Sequence, residues 1–161
     1  MKFREFRNED AEFCFRTRSS AFIQMFYAEI GAELVTAGVN AFMPADYIRM
    51  SNDIEVFIVV ERSERKGFFT IKRIYTDTAE IQLIYFNLDC LGKGYGDKSM
   101  QYIENWIKVN WIEVDKLILD TIVPKYNGKF YEKMGFQILG KSVCKFYEKE
   151  VNAIRYEKYI K

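Results

Sequence analysis

Apolar and polar positions alternate through residues 2–7, as in a strand, and Asn8 or Asp10 is a suitable N-cap for a helix after it. Across residues 11–29 and just beyond, Phe15, Phe22, Ile23, Phe26 and Ile30 recur at three- and four-residue spacings, which predicts an amphipathic helix. Gly31 and Gly38 punctuate the next stretch, and residues 44–48 predict a short helix entered through Pro44. Two β-branched and aromatic runs come next, residues 54–60 and 68–75, and the polar residues 61–67 between them read as a hairpin turn. A third strand, residues 79–86, continues this antiparallel meander. Beyond it, Met100, Ile103, Trp106, Ile107 and Trp111 share one helical face, with Glu104 and Lys108 as an outward pair four residues apart. Residues 115–122 read as a strand that a right-handed crossover makes parallel to 79–86. A short helix over 124–134 is closed by Gly135, and residues 136–146 and 151–160 alternate as two final strands. The pattern predicts a single α/β domain over residues 1–161, with a mixed, twisted sheet of about seven strands and helices on both faces.

Between the third strand and the following helix lies the run Leu91, Gly92, Lys93, Gly94, Tyr95, Gly96, Asp97, Lys98 and Ser99. A strand, alternating glycines and a helix start together make a phosphate cradle, because amides without a Cβ in the way converge on an anion at the positive end of the helix dipole. The same glycines also serve a tight strand-to-helix turn. A Walker A loop is one residue too long for the spacing from Gly92 to Gly96, and Asp97 intrudes before Lys98 and Ser99. Residues 117–120 imitate a Walker B strand and equally an ordinary buried one. The dinucleotide fingerprint fails on spacing, and an antiparallel meander counts against both nucleotide-binding folds.

Charge and composition narrow the chemistry. The formal net charge is +1, with Lys and Arg scattered, so neither nucleic acid nor a membrane is an expected partner. With no secretory, transmembrane or lipidation pattern, a soluble cytoplasmic protein is expected. Cys14, Cys90 and Cys144 are isolated and read as reduced thiols. There is no histidine, which removes Ser-His-Asp and Cys-His catalysis and leaves no metal site expected. Acid–base work falls to Asp, Glu, Tyr, Lys, Cys or water. Tyr27, Phe42 and Tyr47 are core aromatics or pocket lining. Glu29, Glu33 and Asp46 are solvated charge or a preference for a cationic acceptor.

Residues 79–86, the loop from Leu91 to Gly96, and Asn127-Gly128-Lys129-Phe130-Tyr131-Glu132-Lys133-Met134-Gly135-Phe136 together resemble the GNAT superfamily of acetyl-CoA-dependent N-acetyltransferases in order and spacing. The resemblance extends over essentially the whole chain. It implies that the loop amides from Gly92 to Asp97 hold the pyrophosphate of acetyl-CoA as co-substrate, with Lys93, Lys98 and Lys133 as side-chain partners. It further implies that the pantetheine arm runs along Tyr85, Phe86, Asn87 and Leu88, with a backbone N–H near Phe86 or Asn87 polarising the acetyl carbonyl. Glu80 falls where the histone-acetyltransferase branch keeps its general base, and Tyr131 where many members keep the tyrosine that protonates the thiolate. Leu91 departs from the usual Arg or Gln. Pro124 replaces the helix-start asparagine, and Asn127, in place of the usual alanine, is expected to supply the missing hydrogen bond. The implied reaction is acetyl transfer to a primary amine, of a small molecule or a peptide, by direct attack in a ternary complex. The alternatives are a non-catalytic module binding CoA or a partner, and a nucleotide-dependent phosphotransferase. A monomer or a homodimer is expected, residues 151–160 being a strand that can pair across a dimer.

Overall fold

The computed structural model describes residues 1–122 and 124–161, and the side chains of all of these except 124–127. In chain order the elements are β1 (Lys2–Glu5), α1 (Ala11–Asn40), α2 (Pro44–Met50), β2 (Glu55–Glu61), β3 (Glu64–Arg73), β4 (Thr78–Phe86), α3 (Tyr95–Asn110), β5 (Lys116–Ile122), α4 (Pro124–Lys133), β6 (Gln137–Phe146) and β7 (Lys149–Tyr159). They form one seven-stranded sheet in the order β1-β2-β3-β4-β5-β7-β6, with β4 and β5 parallel and the other pairs antiparallel. Helices cover both faces. On one, Ala79, Ile81 and Leu117 pack with Met100, Ile103 and Ile107 of α3 and Tyr131 of α4. On the other, Ile58, Phe68 and Leu83 meet Cys14 of α1 and Tyr47 of α2, while Phe22 and Phe26 of α1 meet Ile122 and Phe146.

The join between β4 and β5 positions everything else. Thr70 pairs with Leu83 but its neighbour Ile71 pairs with Ile81, so Gln82 is an extra residue that β3 does not match. Such a bulge bends the strand and reverses which face its side chains occupy. Pairing with β5 is confined to Thr78–Lys116, Ala79–Leu117 and Glu80–Ile118, and beyond Glu80 the two strands part.

Several details differ from the sequence pattern. The hairpin turn is only Arg62 and Ser63, at φ 50° and 67°, so β3 begins at Glu64 rather than after Gly67. Two consecutive left-handed residues match the twist of a hairpin, and here non-glycine residues occupy them. Helix α1 runs on to Asn40, its path broken at Gly31 (φ 78°, ψ 169°). Its buried face is also rotated from expectation: Ile23 is 46 % exposed, whereas Cys14, Arg18, Ala21 and Phe22 are buried. Glu104 accepts a hydrogen bond from Lys158 of β7 rather than facing Lys108. Finally, β7 lies between β5 and β6 and is paired on both sides, which leaves it no free edge for a dimer partner.

Candidate functional site

Where β4 and β5 part, a cavity of about 300 Å³ opens, closed on one side by α1 and β6. Glu80, at the fork, lines it together with Gln82, Leu83 and Tyr85 of β4. Asp120, Thr121 and Ile122 of β5 form the opposite wall, Tyr131 of α4 adds a phenol, and Cys144 and Lys145 come from β6. The roof is Arg18, Phe22 and Phe26 of α1 with Phe42. Both expected catalytic residues, Glu80 and Tyr131, therefore share one cavity. The Glu80 carboxylate accepts a hydrogen bond from Gln82 Nε2 at 3.1 Å. Tyr131 is 6 % exposed, wedged among Phe130, Phe136 and Tyr156, and burial pushes its phenol well above the ordinary value, with smaller contributions from Tyr85 and Tyr156. Asp120 is held by Arg155 through two hydrogen bonds of 2.9 and 2.7 Å. Burial, then Asp120, pushes the Cys144 thiol up to about 11, so at neutral pH it is a protonated thiol rather than a nucleophile.

The freed edge of β4 offers backbone donors to this gap. Asn87 N–H reaches the Lys66 carbonyl at 2.9 Å, which makes Gly67 and Phe86 a non-hydrogen-bonded pair and turns the N–H of Phe86, and of Ile84 before it, away from β3. Of Phe86 and Asn87, then, Phe86 carries the free donor. The Asn87 side chain is also engaged, accepting from Thr17 Oγ1 at 2.9 Å and donating to the Arg65 carbonyl at 3.0 Å. Tyr85 turns its ring to the cavity, and Leu88, exposed, begins a single helical turn leading into the glycine loop.

In that loop Gly92 and Gly94 have φ of 72° and 79°, and a Cβ on either would meet nothing within 4 Å. The concave side of the turn is open, and left-handed backbone there favours glycine. Gly94 is the N-cap of α3 and no side chain caps it. The N–H groups of Gly92, Gly94, Tyr95, Gly96 and Asp97 have no hydrogen-bond partner among the described residues, while Lys93 N–H is taken by the Cys90 carbonyl. Free amides at a helix start are an anion site. Gly96 has a different role, since a Cβ there would stand 2.9 Å from the Phe130 ring, so its absence lets α4 approach α3. The Tyr95 side chain points into the core against Phe86, its hydroxyl donating to Glu61, and that bond, with burial, raises the phenol to about 12. Asp97 and Lys133 form an ion pair at 2.8 Å beside the amides. Lys93 and Lys98 are exposed nearby, as is Leu91 at 55 %. The Asn127 side chain lies outside the described residues.

Of Tyr27, Phe42 and Tyr47, the aromatics read from the sequence as core or pocket lining, Phe42 lines the cavity. Tyr47 is in the core and Tyr27 is exposed. Glu33 pairs with Lys149 and Asp46 with Arg49 at the surface. What sequence reasoning missed is Arg18, Gln82 and the Asp120–Arg155 pair. Arg18 had a signal, being a charge on the helix face that Ala11, Cys14, Phe22 and Phe26 bury. Among the described residues no group of three or more His, Cys, Asp or Glu is placed to hold a metal, and no helix is long and apolar enough to cross a membrane.

Comparison with known proteins agrees with this fold. A family model described as an acetyltransferase (GNAT) domain matches residues 52–138. A solved GCN5-related N-acetyltransferase of Rhodopseudomonas palustris superposes with a TM-score of 0.84 at 16 % identity, covering 98 % of this chain and 94 % of that one. The PaiA N-acetyltransferase of Thermoplasma acidophilum, solved with coenzyme A, gives 0.77 at 18 % identity and 98 % coverage of both chains. An aminoglycoside 6′-N-acetyltransferase complexed with coenzyme A gives 0.66 at 15 % identity, covering 100 % of this chain and 98 % of that one. At these identities the likeness is one of fold. No curated protein sequence matches.

Proposed function

The chain belongs to the acetyltransferase (GNAT) domain family, and from that premise we propose that it moves the acetyl group of acetyl-CoA to a primary amine by direct attack in a ternary complex. The observation that carries this reading is the parting of β4 and β5 immediately after Glu80, with a cavity in the gap and unpaired amides at the start of α3. Those amides fit a diphosphate, since the turn is open where a Cβ would point and the helix dipole adds positive charge. The free β4 edge fits an extended pantetheine arm, which adds to it as a strand would. Bound there, acetyl-CoA supplies an activated acyl carbon and a thiolate leaving group.

Within this reading Glu80 takes a proton from the acceptor ammonium, directly or through a water, and leaves a nucleophilic amine. Phe86 N–H donates to the carbonyl oxygen as negative charge develops on it during C–N bond formation. Tyr131 gives its hydroxyl proton to the sulfur as the C–S bond breaks, and regains one from the nitrogen that becomes the amide. The net products are the acetamide, free thiol and one proton released through Glu80. Because Cys144 is protonated at neutral pH, direct transfer is favoured over an acyl-cysteine route.

An amine panel with acetyl-CoA, followed by released thiol, tests the proposal. Turnover that falls in Glu80→Gln and Tyr131→Phe at unchanged acetyl-CoA affinity supports it. Acetyl-CoA binding with no thiol released from any amine overturns it in favour of a non-catalytic CoA-binding module. Stabilisation by ATP and magnesium but not by acetyl-CoA overturns it in favour of a phosphotransferase.

A further inference from the structure

Arg18 is 2 % exposed and lines the cavity, which makes it a cation built into an otherwise apolar roof. Its guanidinium carbon lies 4.9 Å from the Phe22 ring centroid, 4.7 Å from that of Phe42 and 5.8 Å from that of Tyr85. Nη1 donates to the Gly38 carbonyl at 2.8 Å, and Nε is buried and unpaired. No carboxylate among the described residues forms an ion pair with it. The two acids of the cavity are engaged elsewhere, Asp120 with Arg155 and Glu80 with Gln82. Lys145, the other cation on the cavity wall, pairs with Glu150 at 3.1 Å. Taking a guanidinium out of water is costly, and ring faces and one carbonyl return only part of that cost. Such a group is stabilised when an anion arrives.

We propose that Arg18 is the anchor for an anionic group of the acceptor, so that the substrate is a small zwitterion: a primary amine that also carries a carboxylate or a comparable oxyanion. This rests on the acetyl-transfer reading. The amine end lies toward Glu80 at the fork and the anionic end toward the roof, both within a cavity whose volume suits a small molecule rather than a peptide segment. Planar guanidinium donors match a carboxylate in two-point fashion, and a neutral analogue leaves them unpaired. Discrimination against analogues lacking the anion is therefore strong, as in any site whose buried donors are built for one polar group.

The test is a panel of amino acids, each paired with its carboxamide and with an aminoalkyl phosphonate of similar length, compared at matched free-amine fraction. Wild type is expected to show a kcat/KM at least tenfold higher for an acid than for its carboxamide, and the phosphonates report whether any oxyanion suffices. In Arg18→Gln that ratio collapses toward one, and Arg18→Lys recovers part of it. Glutarate is the second probe and needs no variant: it inhibits competitively against the amine but not against acetyl-CoA. Carboxamides turned over as well as their acids, or glutarate that does not compete with the amine, overturn the proposal while leaving acetyl transfer intact. If acetyl-CoA binds and no amine yields thiol, acetyl transfer fails instead. Glutarate stabilisation of wild type against heat then decides separately whether the anion pocket exists, and its absence overturns that too.

Discussion

Gln82 Nε2 donates to Glu80 Oε2 at 3.1 Å, from the bulged position within the β3–β4 ladder. The bulge that separates β4 from β5 thus also supplies the side chain that orients the carboxylate at the fork. Glu80→Gln is expected to lower kcat by roughly 10²–10⁴-fold, the usual worth of a positioned base. Gln82→Ala should cost several-fold in kcat with the KM for acetyl-CoA unchanged. Steady-state kinetics with thiol detection separates the two, and equal losses in both variants would deny Glu80 its special place.

Tyr131 has no hydrogen-bond partner for its hydroxyl among the described residues, so Tyr131→Phe removes a proton donor and little packing. Its melting temperature is expected to match wild type closely while kcat falls. Burial holds the folded phenol above its ordinary value of about 10. Below that pH the group is protonated in both folded and unfolded chains. As pH rises past it, the unfolded chain gives up a proton that the folded one keeps, so stability declines from about pH 10 upward. Tyr131→Phe flattens its share of that decline, which denaturant midpoints measured across alkaline pH will register.

The Asp97–Lys133 pair is largely exposed, and breaking it should change stability by no more than about 1 kcal/mol. On the acetyl-transfer reading, Lys133→Ala leaves an uncompensated carboxylate beside the loop amides and is expected to weaken acetyl-CoA binding, whereas Asp97→Asn is expected not to. Titration calorimetry of both singles and the double variant forms a cycle in which the double recovers the loss. Additive losses would mean that Lys133 contacts the ligand itself.

Gly96→Ala puts a methyl group 2.9 Å from the Phe130 ring and forces α4 away from α3, at a cost of about 1–3 kcal/mol. Phe130→Leu in the same chain makes room and should recover most of the melting temperature. No recovery would move the cause from packing to the loop backbone.

Asp10 ties the start of α1 to the sheet. Burial alone would raise its carboxyl, but hydrogen bonds from Arg4, from the Arg7 N–H and from Arg65 hold it below the ordinary value. Its contribution is present above about pH 4 and lost as pH falls through the lowered folded value. Asp10→Ala is expected to cost about 3 kcal/mol at pH 7 and less at pH 3, read from urea midpoints.

Most strands were legible in the sequence because alternation and β-branching mark them directly, and the loop was legible because three close glycines between a strand and a helix have few other uses. Three features were hidden, each for a physical reason. Arg62 and Ser63 adopt left-handed backbone that their types do not announce, so the hairpin turn looked longer than it is. The Gln82 bulge is a mismatch between two strands and leaves no mark on either one alone. Arg18 is hidden because an amphipathic pattern is carried by apolar residues, although a lone cation on the buried face is the more informative deviation.

The seam between β1–β4 and β5–β7 is three residue pairs long, the shortest strand pairing in the sheet. On the acetyl-transfer reading, a thioester arm laid across the gap is a staple between the leaves, and amide exchange at Ile84 and Phe86 is expected to slow when the arm is in place.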